Sequence, residues 1–161
     1  MKGFCVACIA ILACLTCGCR QLDNDRIPYA VVNIEMNAAQ WNIYGVNGAG
    51  DYRLFVKRLL QPSGYPYKVG EETGFGGVLL VMTYYGNAEA FDLACPVEMR
   101  YDVRIAVGED QKAYCAKCGS TYSVFENGGI PLSGPAKEND YGLQRYRVAV
   151  NLTTGSYSIV R

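Results

Sequence analysis

Three cysteines in the second half of the chain have the spacing of a metal or redox site. Cys115 and Cys118 form a Cys-x-x-Cys-Gly turn in the stretch AYCAKCGSTY, and Cys95 lies upstream in LACPVEM. Thiolates bind soft metal ions, and paired thiols form disulfides. The chain contains no histidine, so a site built on these residues depends on thiols and carboxylates for its side-chain ligands.

The first nineteen residues hold the other five cysteines and have the pattern of an export signal. MKGFCVACIAILACLTCGC has one lysine, then an apolar run from Phe4 to Leu15, then small residues. That run is too short to span a bilayer as a helix and is typical of a secretory signal. The ending LTCGC resembles a bacterial lipobox, which implies a signal peptide over residues 1–18 and lipidation of Cys19.

The predicted lipid anchor decides both the compartment and the number of cysteines available for chemistry. We expect a lipid-anchored protein of the cell envelope, and because Arg20 rather than an aspartate follows Cys19, we expect the outer membrane. Signal cleavage and lipidation leave only Cys95, Cys115 and Cys118, in a compartment that permits disulfides. Basic and acidic residues balance at 15 each, so charge gives no indication of a nucleic-acid partner.

The rest of the sequence predicts one β domain. Residues 19–28 are polar and are expected to form a tether, which leaves residues 29–161 as a single domain large enough to bury a core. Apolar stretches such as GGVLLVMTYY, AFDLAC, YDVRIAVG and LQRYRVAVNL alternate with turn sequences such as GNAE, ENGG and TTG. This pattern indicates an all-β fold of short antiparallel strands, arranged as a small barrel or sandwich.

The two cysteine stretches and the segment after them resemble a Rieske domain, and the chain is similar to Rieske-like lipoproteins of Bacteroides-type bacteria. In the Rieske family a Cys-x-His loop and a Cys-x-x-His-Gly loop hold a 2Fe–2S cluster. Cys95 stands at the first cysteine position, Cys115 at the second, and Gly119 at the glycine, while GGIPLSGPA resembles the proline loop. The resemblance implies a Rieske-like antiparallel β fold with a cluster-binding subdomain of paired loops.

Both histidine positions of the family pattern hold other residues. Val97 stands at the first position and Cys118 at the second. Valine has no donor atom, whereas two imidazoles ligate one of the two irons in a Rieske centre. An ordinary Rieske cluster is therefore not expected. The resemblance implies instead a degenerate site formed by Cys95, Cys115 and Cys118.

Three states of these thiols remain open. In the first, which we expect, the site holds no cofactor and two thiols form a disulfide. The pair is then either Cys95–Cys115, whose counterparts share one iron in the family, or Cys115–Cys118 within the Cys-x-x-Cys turn. In the second state the three thiolates bind zinc or a single iron, with Glu98 as the candidate fourth ligand. In the third they hold a 2Fe–2S cluster with altered ligands.

The function predicted from these features is a non-enzymatic binding or accessory module of the envelope. Its partner would be an unknown envelope protein or a small ligand, in addition to the membrane that holds its lipid anchor. Asp92, Glu98 and Glu109 are expected at the surface, and nothing pairs them as a catalytic acid and base. The alternative is an envelope redox or electron-transfer protein that uses an altered iron–sulfur cluster, a cysteine-bound zinc or iron, or the Cys-x-x-Cys couple.

Overall fold

The computed structural model describes residues 21–161, so the predicted signal peptide and the lipidation of Cys19 lie outside the described residues. Within residues 21–161 no helix is long and apolar enough to cross a membrane. This part of the chain contains eleven strands, two α-helices and one turn of 3₁₀ helix at Lys57–Leu59. In chain order the strands and α-helices are β1 (Val32–Met36), α1 (Ala38–Tyr44), β2 (Tyr52–Phe55), β3 (Glu72–Thr73), β4 (Val78–Met82), β5 (Ala88–Asp92), β6 (Ile105–Val107), β7 (Ala113–Cys115), β8 (Thr121–Ser123), β9 (Ile130–Ser133), α2 (Gly134–Glu138), β10 (Arg145–Asn151) and β11 (Ser156–Val160).

Seven strands form one large antiparallel sheet in the order β2-β4-β5-β10-β11-β1-β3. Its two edges approach one another where the backbone N–H of Lys57, just after β2, donates to Thr73 Oγ1 in β3 over 3.3 Å. The sheet is therefore a nearly closed barrel, an arrangement that shortens the exposed edges of a sheet. The predicted all-β fold of antiparallel strands is confirmed.

Strand β4 is buried on both of its faces. Val78 and Leu80 pack in a core formed by the barrel strands, while Leu79 and Val81 pack in a second core on the opposite side of the strand. All four side chains are fully buried. Burying an aliphatic side chain of this size contributes about 1.5–3 kcal/mol. The unbroken apolar run VLLVM is thus explained, because alternation is lost where a strand is covered on both sides.

A second sheet of four antiparallel strands, in the order β6-β7-β8-β9, packs over this second core. The small sheet is joined to the large one by main-chain hydrogen bonds, one of which runs from Ile105 N–H to Leu93 C=O over 2.8 Å. Cys95 and Cys115 both belong to the second core. The two cysteines therefore lie where the large and small sheets meet.

Helix α1 is a feature that the strand pattern did not indicate. Asn37 caps it: the Asn37 side chain accepts from Gln40 N–H over 2.9 Å, and the Gln40 side chain accepts from Asn37 N–H over 3.1 Å. The ring of Trp41 stacks on Tyr157 of β11 with centroids 3.7 Å apart. The signal for this helix was present in the sequence, because Asn-x-x-Gln before an apolar residue is a capping-box pattern.

Asp92 was predicted at the surface and is instead completely buried at the end of β5. Its carboxylate accepts hydrogen bonds from the N–H groups of Phe75, Gly76 and Ala94 and from the hydroxyl of Tyr146. Burial raises the pKa of Asp92, and these hydrogen bonds act in the opposite direction. The prediction was wrong because the connection between β3 and β4, at Phe75 and Gly76, and the side chain of Tyr146 on β10 cover the Asp92 carboxylate. A satisfied carboxylate at this point fixes the backbone that leads into Cys95.

Candidate metal centre

Two loops with the same backbone shape meet at the junction of the sheets. We name residues 95–99 the first cysteine loop and residues 115–119 the second cysteine loop. In each, the N–H of the fifth residue donates to the C=O of the leading cysteine over 2.9 Å, from Met99 to Cys95 and from Gly119 to Cys115. The fifth residue has a left-handed backbone in both, with φ of 51° at Met99 and 72° at Gly119. Each loop thus carries its leading cysteine at the start of an equivalent turn.

The turn geometry directs main-chain N–H groups at the sulfur of Cys95. Burial raises the pKa of this thiol to about 12, while hydrogen bonds from the N–H groups of Glu98 and Val97 lower it. Hydrogen bonds of this kind stabilise a thiolate. The first cysteine loop therefore disfavours an isolated thiolate through burial but supplies donors that a metal-bound thiolate would use.

Cys118 occupies the more accessible side of the site. Burial raises the pKa of Cys118, but hydrogen bonds from Ser120 and from the neighbouring thiols outweigh burial, so its pKa lies below the ordinary value. Its sulfur lies 3.2 Å from Ser120 Oγ. Cys118 is half-buried, whereas Cys95 and Cys115 are fully buried. Among the three thiols it is the one best placed to meet a reagent or ligand from solvent.

The three sulfur atoms lie within 4.8 Å of one another, and those of Cys95 and Cys118 are 3.6 Å apart. All three residues are free thiols in the structure. A tetrahedral zinc–thiolate site with bonds of about 2.3 Å places its sulfurs about 3.8 Å apart. The cysteines predicted from spacing are thus brought together at a separation that one metal ion could bridge.

Tyr122 and Ser120 surround the sulfur atoms from β8 and the turn that precedes it. The Tyr122 hydroxyl lies 3.8 Å from Cys95 Sγ, and Ser120 Oγ accepts the N–H of Ala136 over 3.0 Å. Gly134 packs so closely on Ser120 that an added Cβ would lie 3.0 Å from the Ser120 Cα, and its φ is 72°. The Gly-Pro-Ala segment at the start of α2 therefore holds Ser120 in position beside Cys118.

Val97 and Glu98 stand in the first cysteine loop but do not join the thiols as ligands. Val97 packs against the second core. Glu98 follows Cys95 by the same three positions that separate Cys118 from Cys115, yet its carboxylate forms an ion pair with Lys117 of the second cysteine loop. Among the described residues, the group of side chains close enough together to hold a metal ion contains only the three cysteines. The candidate fourth ligand is thus engaged elsewhere, in a contact that ties the two loops together.

Arg26, in the predicted tether, contacts the first cysteine loop directly. Its Nε donates to Pro96 C=O over 3.0 Å, its Nη2 donates to Met99 Sδ over 3.2 Å, and its guanidinium lies 3.6 Å from the ring centre of Tyr141. The same segment is held to the domain by the Asp23 N–H, which donates to a main-chain carbonyl at 2.8 Å. Residues 21–28 therefore lie against the domain and brace the site.

Arg26, Ser120 and Tyr122 are site residues that the sequence reasoning missed. Ser120 and Tyr122 could have been predicted, because residues two positions apart along a strand lie on the same face. This places both on the face next to the preceding Cys-x-x-Cys-Gly turn. Arg26 left no local signal, since its partners lie about seventy positions away.

No family model, no curated protein and no solved structure matches this chain. The Rieske resemblance consequently stays a prediction that rests on the cysteine loops and the proline-containing segment.

Proposed function

We propose that the chain is a non-enzymatic, lipid-anchored accessory module of the cell envelope with a Rieske-like fold, in which Cys95, Cys115 and Cys118 bind one soft metal ion, zinc. The observation that carries the proposal is the set of three sulfur atoms within 4.8 Å of one another. Zinc prefers thiolate ligands and tolerates a site without imidazole. The metal would link the loop that leaves the large sheet to the loop of the small sheet.

A single ion agrees better with the ligand geometry than a cluster does. A 2Fe–2S cluster needs two ligands on each of two irons. The three thiols converge on one another, and Val97 offers no donor at the position where the Rieske pattern has histidine. Three thiolates around a divalent ion leave one negative charge, which main-chain N–H groups of the first cysteine loop help to stabilise.

A non-enzymatic role agrees with the contacts of the buried carboxylates. Asp92 accepts four hydrogen bonds, as described above. Glu71 accepts from the N–H groups of Glu35 and Lys68 and from the hydroxyl of Tyr65. Carboxylates engaged in this way support the fold and are poorly placed to move protons. An accessory module that presents loops on a rigid sheet agrees with these contacts.

Metal analysis of the chain purified anaerobically from membranes tests this proposal. We expect one zinc per chain, with no acid-labile sulfide, and we expect Cys95→Ser to lose the zinc. Glu109→Gln, at an exposed carboxylate, serves as the matched control and should keep the metal. Stoichiometric iron together with sulfide, or a metal content that Cys95→Ser does not change, would overturn the proposal.

A second candidate function is a thiol–disulfide couple between Cys95 and Cys118. The short separation of 3.6 Å between their sulfurs favours it, and so does the lowered pKa of Cys118. A substrate disulfide would accept two electrons and two protons from the thiols as the new sulfur–sulfur bond forms. Peptide mapping after equilibration with glutathione would detect a Cys95–Cys118 link. A chain that keeps three free thiols at every glutathione ratio would rule this couple out.

A further inference from the structure

We infer that a metal bound by the three cysteines has one coordination position left for a ligand from outside the chain, of the soft thiolate class. This inference rests on the proposed zinc site. It goes further because it makes the centre a binding site for an external sulfur ligand instead of a closed structural site. Structural zinc sites have four protein ligands, whereas sites with three protein ligands accept an exogenous fourth.

Glu98 is the candidate for a fourth protein ligand in the first cysteine loop, and Lys117 engages its carboxylate. Its carboxylate pairs with the ammonium group of Lys117, and the Glu98 side chain is only 15% exposed. Moving it toward the thiols would break a partly buried ion pair and leave Lys117 without its partner. This ion pair holds the two cysteine loops together and keeps the Glu98 carboxylate in contact with Lys117.

Two hydroxyl groups lie beside the sulfurs, and both take part in hydrogen bonds. Ser120 Oγ accepts the Ala136 N–H and contacts Cys118 Sγ. Tyr122 is completely buried, and its hydroxyl lies 3.8 Å from Cys95 Sγ. Neutral hydroxyls of this kind are not among the ligands that zinc takes from proteins. Both groups are hydrogen-bonding partners of the sulfurs.

Solvent reaches the site along the second cysteine loop. Cys118 is half-buried, and its neighbours Ala116, Lys117 and Gly119 are exposed. A Cβ placed on Gly119 would meet no atom within 4 Å, so the space beside this loop is open. A small ligand can approach from this side without displacing the packed residues of the second core.

The expected step is a ligand exchange without any change of oxidation state. With a metal held by Cys95, Cys115 and Cys118, an external thiol would displace a water ligand and would release its proton to solvent. A sulfur donor is favoured over an oxygen donor because the three ligands already present select soft partners. The added thiolate completes a four-sulfur set of the kind that zinc binds most often in structural sites.

Cobalt(II) substitution in the full chain tests the inference with 2-mercaptoethanol as the external thiol and acetate as the oxygen-donor control. We expect the thiolate-to-cobalt charge-transfer absorbance to rise by roughly a third, from three thiolates to four, and to saturate. Acetate at the same concentrations should leave the spectrum unchanged. Glu109→Gln, at an exposed carboxylate outside both cysteine loops, should give the same starting spectrum and the same rise.

The outcomes separate this inference from the zinc proposal. Cobalt that gives no charge-transfer band in the wild-type chain overturns the metal site itself. A band that forms but does not respond to 2-mercaptoethanol, or that decreases as the thiol removes the metal, overturns only the open position. A response to acetate equal to the response to 2-mercaptoethanol would overturn the preference for a sulfur ligand.

Discussion

The sulfur atoms of Cys95 and Cys118 lie 3.6 Å apart, although Cys95 belongs to the connection from β5 of the large sheet to β6 of the small sheet and Cys118 to a turn within the small sheet. Cys95 follows the last strand residues of the barrel wall, and Cys118 lies in the turn between β7 and β8 of the small sheet. A metal or a covalent link at this point would join the two sheets at the end of their shared core. Stability and thiol chemistry are therefore coupled at one place in the molecule.

The metal-free chain should show different reactivities for the two thiols. Because the pKa of Cys118 is lowered, its thiolate forms at a lower pH than that of an ordinary cysteine. Because burial raises the pKa of Cys95 to about 12, its thiolate is scarce until the pH is far higher. As pH rises, iodoacetamide should therefore modify Cys118 first, as measured by peptide mass spectrometry of chelator-treated chain. Equal rates at both residues across the pH range would contradict the assignment.

Replacement of Arg26 should loosen the first cysteine loop. Arg26→Ala removes two hydrogen bonds and a cation–π contact with Tyr141. These contacts together contribute about 1–3 kcal/mol, and we expect that loss in the free energy of unfolding measured with urea. Arg147, an exposed arginine on β10, provides the control through Arg147→Ala. Equal stability of the two variants would show that Arg26 does not brace the site.

Gly119 and Gly134 form a matched pair because both have a φ of 72° and only one is closely packed. Alanine in a left-handed conformation costs about 1–2 kcal/mol at either position. At Gly134 the added methyl would also lie 3.0 Å from the Ser120 Cα, whereas at Gly119 it would meet open space. Gly134→Ala should therefore have the lower midpoint in thermal unfolding. If Gly119→Ala lowers the midpoint by as much as Gly134→Ala, the close packing of Gly134 on Ser120 does not contribute to stability.

How much of the molecule the sequence could predict depended on the range of the interactions involved. Alternating and unbroken apolar runs are local signals, and they predicted the strands and the all-β fold. The order of strands in the two sheets and the near closure at Lys57 and Thr73 depend on long-range pairing that no local pattern encodes. Asp92 was misplaced for the same reason, because the groups that bury it come from the connection between β3 and β4 and from Tyr146 on β10.

The candidate site divides in a similar way. The spacing of Cys95, Cys115 and Cys118, together with the resemblance of their loops to those of a Rieske domain, predicted that the three would meet, and the structure brings their sulfurs within 4.8 Å. The ion pair of Glu98 could not be predicted from the first cysteine loop alone, because its partner, Lys117, belongs to the second cysteine loop. The spacing of residues along the chain can therefore predict which side chains lie near a site. It does not predict which partner each side chain contacts there.

Lipidation of Cys19 is a prediction of the lipobox-like sequence and can be tested on intact cells. We expect labelled palmitate to be incorporated into the wild-type chain and lost in Cys19→Ser, because the sulfur that carries the lipid is removed. Cys17→Ser is the matched control, since it alters a cysteine two positions earlier, and it should keep the label. Labelling that survives Cys19→Ser would contradict the predicted cleavage after residue 18.

Zinc binding should stabilise the chain by an amount that grows with the logarithm of the free zinc concentration. At a free concentration one hundred times the dissociation constant, a ligand that binds only the folded state contributes about 2.7 kcal/mol. Addition of a chelator should therefore lower the melting temperature of the wild-type chain by several degrees, and Cys118→Ser should weaken that response. An unchanged melting temperature on chelation would show that no metal supports the fold.

X-ray absorption at the zinc edge tests the metal site most directly, using chain purified from membranes without added thiol. We expect three sulfur ligands at about 2.3 Å from the zinc and one oxygen ligand at a shorter distance. Absence of zinc from the protein, or iron with an iron–iron contact in its place, would contradict the three-cysteine metal site.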